Sequence, residues 1–301
     1  MKSTMVRRVT LSIALTAVLA GVTACNSSDS SGSSGKSGHK GTTRVSPIAA
    51  LRSAERSTDS ADSAKVESTT TMGTLMSMRA DGVMGWADGL TGTMTITYTG
   101  GTLADTMRQT GSTSMQARYL PDAYYARMGD KFAAQSGGKH WIRYGYDDLA
   151  KFGGSSGAYL KDQMQNTTPN QSVKLLLASG DVEKVGTETV RGRSATHYSG
   201  TVDVADLASR SSNLSASQLA DLKKQLTAAG VTTETVDIWV DGDDLLVKKV
   251  EKGELTSGTM TSTAYYSDYG TKVSAEEPPT ADTADFKDLL KAQGATGGTT
   301  S

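Results

Sequence analysis

Few residues in this chain have reactive chemistry to offer. Cys25 is the single cysteine, and the histidines are His39, His140 and His197. A thiol is a nucleophile and metal ligand once deprotonated, but one cysteine forms no intrachain disulfide. Gly153-Gly154-Ser155-Ser156-Gly157 spells the nucleophile-elbow motif. That motif needs a strand before its serine and a helix after it, whereas here it follows a short polar helix in a Gly/Ser loop. His140 and His197 lie in strand-like runs beside Trp141 and Tyr198, a setting for cross-strand packing. No His/Asp/Glu group has ligand spacing, and the acidic turn Asp241–Asp244 lacks the full calcium-loop pattern. Ser34-Gly35-Lys36-Ser37 imitates the end of a phosphate loop, but Ser30 replaces its first glycine and no strand precedes it. The expectation is a protein that is no enzyme and holds neither metal nor cofactor.

Cys25 gains its meaning from what precedes it. Lys2, Arg7 and Arg8 lead into the apolar run Val9–Ala20, which ends in Leu19-Ala20-Gly21-Val22-Thr23-Ala24-Cys25. A positive start, a short apolar core and small residues before a cut describe an export signal. The run is too short to span a bilayer, which needs roughly 20 apolar residues. Val22-Thr23-Ala24-Cys25 resembles a bacterial lipobox. That resemblance implies a diacylglycerol on the Cys25 thiol, cleavage before it, and anchorage to the extracytoplasmic face of the cell membrane. Arg7-Arg8 leaves the export route open between the general and twin-arginine pathways. Residues 1–24 are thus expected as signal, 25–44 as lipidated cysteine and tether, 45–291 as the folded domain and 292–301 as a loose tail.

Composition narrows the partners. Three of the 31 basic residues fall in the first 24, so the remainder carries 28 against 32 acidic residues. Without a clustered basic face, no nucleic-acid partner is expected. The Ser/Gly-rich stretch Asn26–Arg44 cannot bury apolar surface and reads as a flexible coil with a reach of roughly 25 Å. With no disulfide available, burial alone must hold the domain.

From Ser46 the pattern becomes that of a fold. Ser46-Pro47 is a helix start, and Ile48, Leu51 and Ala54 share one face. Period-two alternation then runs through Val66–Met78, Gly82/Met84/Trp86 and Gly92/Met94/Ile96/Tyr98, with a turn at Asp88-Gly89. Strands are expected around Thr102–Arg108, Ser112–Tyr119, Ala123–Met128 and His140–Tyr144. Helical turns follow over Asp147–Phe152 and Tyr159–Gln165, then a helix Gln171–Ser179 stopped by Gly180. Val182–Val185 and Ser194–Val202 read as strands. Val204–Arg210 and Ser215–Ala229 read as helices, the latter with a Ser215/Gln218 capping box. Asp241-Gly242-Asp243-Asp244 joins Glu234–Val240 to Leu245–Glu251 as a hairpin, Leu255–Tyr266 is a last strand, and a helix spans about Ala281–Lys291. The sum is α+β: a single large curved antiparallel sheet of about ten consecutive strands, partly covered by helices.

Local phrases now point one way. Gly82-Val83-Met84-Gly85-Trp86, Asp122–Met128, Trp141-Ile142-Arg143-Tyr144, Val185–Gly192 leading to Thr196-His197-Tyr198, and Val236–Asp241, all behind a lipobox, resemble actinobacterial lipoproteins of the LppX/LprG kind. These are related to the LolA and LolB carriers. The resemblance covers residues 45–290 and implies a half-barrel whose concave face is closed by helices around the acyl chains of a lipid or glycolipid. It transfers no ligand-binding residue position by position. Independently, apolar positions of the strands are rich in methionine (Met72, Met76, Met78, Met84, Met94, Met115, Met128, Met260), a flexible side chain that adapts to variable partners. The expected cavity lining is Met84, Trp86, Met94, Ile96, Tyr98, Met115, Met128, Val236, Ile238 and Met260. Two functions follow: a lipid carrier or chaperone, or a protein-binding envelope sensor built on the same fold.

Overall fold

The computed structural model describes residues 46–296, apart from 153–156, 159, 162–163, 166–167, 204–219, 221–223, 225–226, 228–232 and 257. The expected signal, Cys25, the tether, the end of the tail, the helix Val204–Arg210 and most of Ser215–Ala229 lie outside the described residues.

The start of the fold is set by local chemistry. Helix α1 (Pro47–Ser60) begins where the Ser46 hydroxyl accepts a hydrogen bond from the Ala49 N–H at 3.2 Å, with proline in the first turn. Leu51, Ala54 and Thr58 are its buried face. Strands β1 (Ser63–Met72), β2 (Met76–Gly85), β3 (Thr91–Gly100), β4 (Ser114–Tyr119), β5 (Ala123–Arg127) and β6 (Trp141–Gly145) form one meander. A second runs through β7 (Glu183–Val190), β8 (Arg193–Asp203), β9 (Thr233–Asp241), β10 (Leu246–Leu255) and β11 (Gly258–Ser267). β1 pairs with β11 and joins the two meanders into a 12-stranded sheet ordered β12-β6-β5-β4-β3-β2-β1-β11-β10-β9-β8-β7. The sheet is open, a half-barrel whose edges are β7 and β12 (Thr283–Asp285).

Several elements differ from the sequence reading. Thr102–Arg108 is not a strand but part of helix α2 (Gly101–Thr110): Leu103, Ala104 and Met107 share a helical face, and Gly111 closes it at φ 107°. The run Val66–Met78 is broken by a turn at Gly73 (φ 46°), so it forms two strands rather than one. The short helix α3 (Asp130–Gln135) was not expected. The sheet is mixed rather than wholly antiparallel, because β12 pairs parallel to β6. The last expected helix is accordingly split into a 3-10 turn, Thr280–Asp282, then β12, then helix α6 (Phe286–Thr296). Residues 268–282 reach β12 as a strap over the outer face: Gly270 N–H and the Ser63 hydroxyl tie it to β1, and Arg118 donates to the Glu276 carbonyl.

The helices α1 and α5 (Pro169–Ala178) pack on the inner face of the β8–β11 half. Leu51, Ala54, Val173, Leu175 and Leu176 meet Tyr198, Val236, Ile238, Val240, Leu246, Ala264 and Tyr266 there. Thr58 accepts from the Leu246 N–H, and Trp86 donates to the Asp59 carbonyl. This core encloses charge. The Lys249 ammonium bonds both Glu251 oxygens at 2.9 and 3.0 Å and the Ser172 hydroxyl at 3.0 Å, while Ser172 donates to Glu251 at 2.7 Å. Burial pulls the Lys249 pKa down, but Glu251, Tyr266 and Glu234 together outweigh it, so the ammonium is held charged. Removing one partner of such a pair strands a buried charge. Lys249→Met is therefore expected to lose about 3–5 kcal/mol in urea unfolding, and Lys249→Met/Glu251→Leu to recover most of that loss.

Candidate functional site

The strand registers define what faces inward on the other half. The rows run Thr70–Met78–Tyr98, Ser68–Ala80–Ile96–Met115, Val66–Gly82–Met94–Ala117–Ala126–Ile142, and Ala64–Met84–Gly92–Tyr119–Tyr124–Tyr144. Glycine opposite methionine is a packing device here. A Cβ on Gly82 would lie 2.8 Å from the Met94 sulfur, and one on Gly92 2.6 Å from the Met84 sulfur, so each thioether lies across the bare backbone of the neighbouring strand. Helix α4 (Tyr146–Phe152) and the start of α6 cover this half through Leu149 and Phe286, with Leu160 and Met164 beside them. Among the described residues the cover is incomplete. Val66, Met78, Tyr98, Met115, Tyr119, Met128 and Tyr144 pack against the buried cluster yet stay only half-buried.

Four tyrosines converge on this surface. Tyr119 and Tyr124 have ring centroids 5.0 Å apart, Tyr124 and Tyr144 5.7 Å, and Tyr144 and Phe286 4.8 Å. Burial first, and then the proximity of the Tyr98 phenol, pushes Tyr119 and Tyr144 up to about 12. Tyr124 and Tyr146 are raised further by burial and by their neighbours, Tyr119 among them. All of these phenols keep their protons at neutral pH. The Tyr146 hydroxyl, on a residue 2% exposed, has no hydrogen-bond partner among the described residues.

The ten residues expected to line a cavity fall into three groups. Met84, Met94 and Ile96 are buried in the β2–β6 cluster, with Tyr98, Met115 and Met128 half-buried against it. Trp86, Val236 and Ile238 belong to the core under α1 and α5. Met260 joins Met72 and Met76 in a small cluster closed by Leu103 of α2. Tyr119, Tyr124, Tyr144 and Tyr146 were missed, although eleven tyrosines against three phenylalanines hinted at hydroxyls in apolar places. An open depression of about 250 Å³ lies at the ends of β3–β5, with Thr95, Gln116 and Arg127 on the outer side and Met115 and Met128 in its wall.

The two described histidines, His140 and His197, serve packing and pairing. His197 stacks on Trp239, its partner across β8–β9, with ring centroids 4.1 Å apart, and its Nε2 lies 2.8 Å from Asp237. His140 Nδ1 lies 2.7 Å from Asp282, tying the start of β6 to the strap. Among the described residues no cluster of metal-ligating side chains occurs, and no helix is long and apolar enough to cross a membrane.

Comparison with known proteins identifies relatives. The chain is 63% identical over 238 residues to a 31.2 kDa protein of the rplA–rplJ intergenic region of Streptomyces griseus, covering 79% of this chain and 78% of that one. It is 58% identical over 230 residues to a Streptomyces coelicolor protein named as a lipoprotein, SCO4650, covering 76% and 72%. The chain belongs to the family of these streptomycete proteins. No family model matches it. Among solved structures it is similar to the Mycobacterium tuberculosis lipoprotein LppX, at 17% identity and TM-score 0.46 over 76% of this chain and 98% of that one. It is similar to LprF from Mycobacterium bovis at 13% identity and the same TM-score, over 77% and 96%. A LolA-superfamily protein from Nitrosomonas europaea gives 9% identity and TM-score 0.24 over 77% and 96%.

One buried acid makes the inner face sensitive to pH. Glu234, 2% exposed, precedes Val236 along the inner side of β9, and its Oε1 has no partner among the described residues. Burial, and then the charge of Glu251, raise its pKa well above 4.5, against a smaller opposing effect of Lys249. A carboxyl raised on folding stabilises below its unfolded pKa, and that stability is lost as pH climbs toward the folded value. Urea midpoints are therefore expected to fall as pH rises above 4.5, and Glu234→Gln to flatten that fall.

Proposed function

We propose that this protein is a lipoprotein anchored through Cys25 on the extracytoplasmic side of the cell membrane, and that its inner face holds a lipid or other hydrophobic ligand. It acts as a carrier or chaperone, without catalysis. One observation carries the reading: large apolar side chains of the inner face, Met78, Tyr98, Met115, Tyr119, Met128 and Tyr144, stay half-buried beside a fully packed core. Water-facing apolar surface in a concave setting is the usual mark of a ligand site. Methionines supply walls that refit to different chains. The name of the Streptomyces coelicolor relative supports the anchor. In this reading the half-buried methionines and tyrosines touch the ligand, while Trp86, Val236 and Ile238 hold the wall behind them.

The test is chemical. Protein purified from bacterial membranes is expected to carry lipid extractable for mass spectrometry, and the delipidated protein to reload from vesicles. Cys25→Ser is expected to move the protein from the membrane to the soluble fraction while lipid binding persists. Folded protein that stays empty after repeated exposure to lipid would contradict the carrier role.

A further inference from the structure

The charge pattern of the inner face narrows the ligand class, and the step rests on the lipid-binding reading above. None of the side chains on the inner rows of β1–β6 is charged; they are Ala, Val, Ser, Thr, Met, Gly, Ile and Tyr. Several charges at the margin are paired with one another: Lys161 with Asp147, Lys287 with Asp148 and Asp285, Arg143 with Asp122 and Asp285. Among the described residues the one buried ammonium, Lys249, is spent on Glu251 and Ser172. What the surface offers instead is a group of phenol hydroxyls at Tyr98, Tyr119, Tyr124 and Tyr144, with the unpartnered hydroxyl of Tyr146 buried among them. An orphaned buried hydroxyl is uncommon and asks for a partner. A phosphate entering here would lose its hydration and, among the described residues of these inner rows, find no cation, whereas an ester carbonyl or hydroxyl can accept from a phenol.

We infer that the inner face is built for an uncharged, ester- or hydroxyl-bearing lipid of the diacylglycerol type, with its oxygens among the tyrosine hydroxyls, and that it discriminates against phosphate-bearing lipids. The experiment uses the delipidated full chain with two tail-labelled fluorescent probes of identical acyl chains, dioleoylglycerol and dioleoyl phosphatidate. The expected result is dioleoylglycerol bound about ten-fold or more tightly over phosphatidate. Tyr146→Phe is expected to weaken dioleoylglycerol about five-fold while leaving the unfolding midpoint unchanged or higher, since it deletes an unsatisfied group. Tyr144→Phe is the second variant, with weakened binding expected in the same direction. Phosphatidate binding as tightly as dioleoylglycerol would overturn the inference and leave the carrier role standing. Unchanged dioleoylglycerol affinity in both variants would also overturn it. If the folded protein bound neither probe, the carrier role itself would fall.

Discussion

The architecture depends on one ladder. Strand β1 pairs with β11 through eight registered residues, from Lys65↔Ser267 to Met72↔Met260. Among the described residues it is the sole strand pairing between the two meanders. The partners lie far apart in sequence, but loop-closure cost grows only slowly with length, and the ladder brings a full set of backbone hydrogen bonds. Its consequence is a common inner face in place of two separate sheets. The middle inward positions along this seam are small or polar, Ser68, Thr70, Ser262 and Ala264 with Ala80 and Gly82 on the next strand, between Val66 and Tyr266 at one end and Met72 and Met260 at the other. Helices α1 and α5 lie over one half and α4 with the start of α6 over the other, so the seam runs between the two covers.

The two halves solve the problem of polarity in opposite ways. Under α1 and α5 the core contains full charges, compensated by geometry: an ammonium held by both oxygens of one carboxylate, with a serine of helix α5 bridging them, beside a second carboxyl whose pKa burial raises well above 4.5. Under α4 the polar groups are phenols, uncharged at any physiological pH. Charge is otherwise kept outside, where Arg191 pairs with Glu67 and lies 3.9 Å from the Tyr265 ring, and Lys248 sits 3.7 Å from the Trp239 ring. Stacking cations on outer-face aromatics covers apolar surface without exposing a flat greasy patch.

Sequence alone revealed the alternation and therefore the face. Gly92/Met94/Ile96/Tyr98 and Thr196/Tyr198/Gly200/Val202 read as single-sided runs, and the structure turns both sets inward. Asp241–Asp244 read as a hairpin because Asp244 tolerates the positive φ of 59° that the turn requires. Helix α2 escaped notice because Thr and Gly near its start weaken helical propensity, and its apolar face shows only after Gly111 is recognised as its stop. The burial of Lys249 and Glu251 was not legible, since nothing local announces that Ser172, 77 positions from Lys249, will cover them. The tyrosine group was equally hidden. Its members come from β3, β4, β5, β6 and α4, and only the register of three ladders brings the strand members together.

The most direct measurement follows the methionine methyl resonances of the protein, carbon-13 labelled at that position, as acyl lipid is added. A ligand on the inner face predicts large shifts at Met78, Met115 and Met128, smaller ones at the buried Met84 and Met94, and little at Met260 in its closed cluster. Saturating lipid that shifts none of the inner-face methyls, or shifts Met260 alone, would contradict a binding surface between the two helical covers.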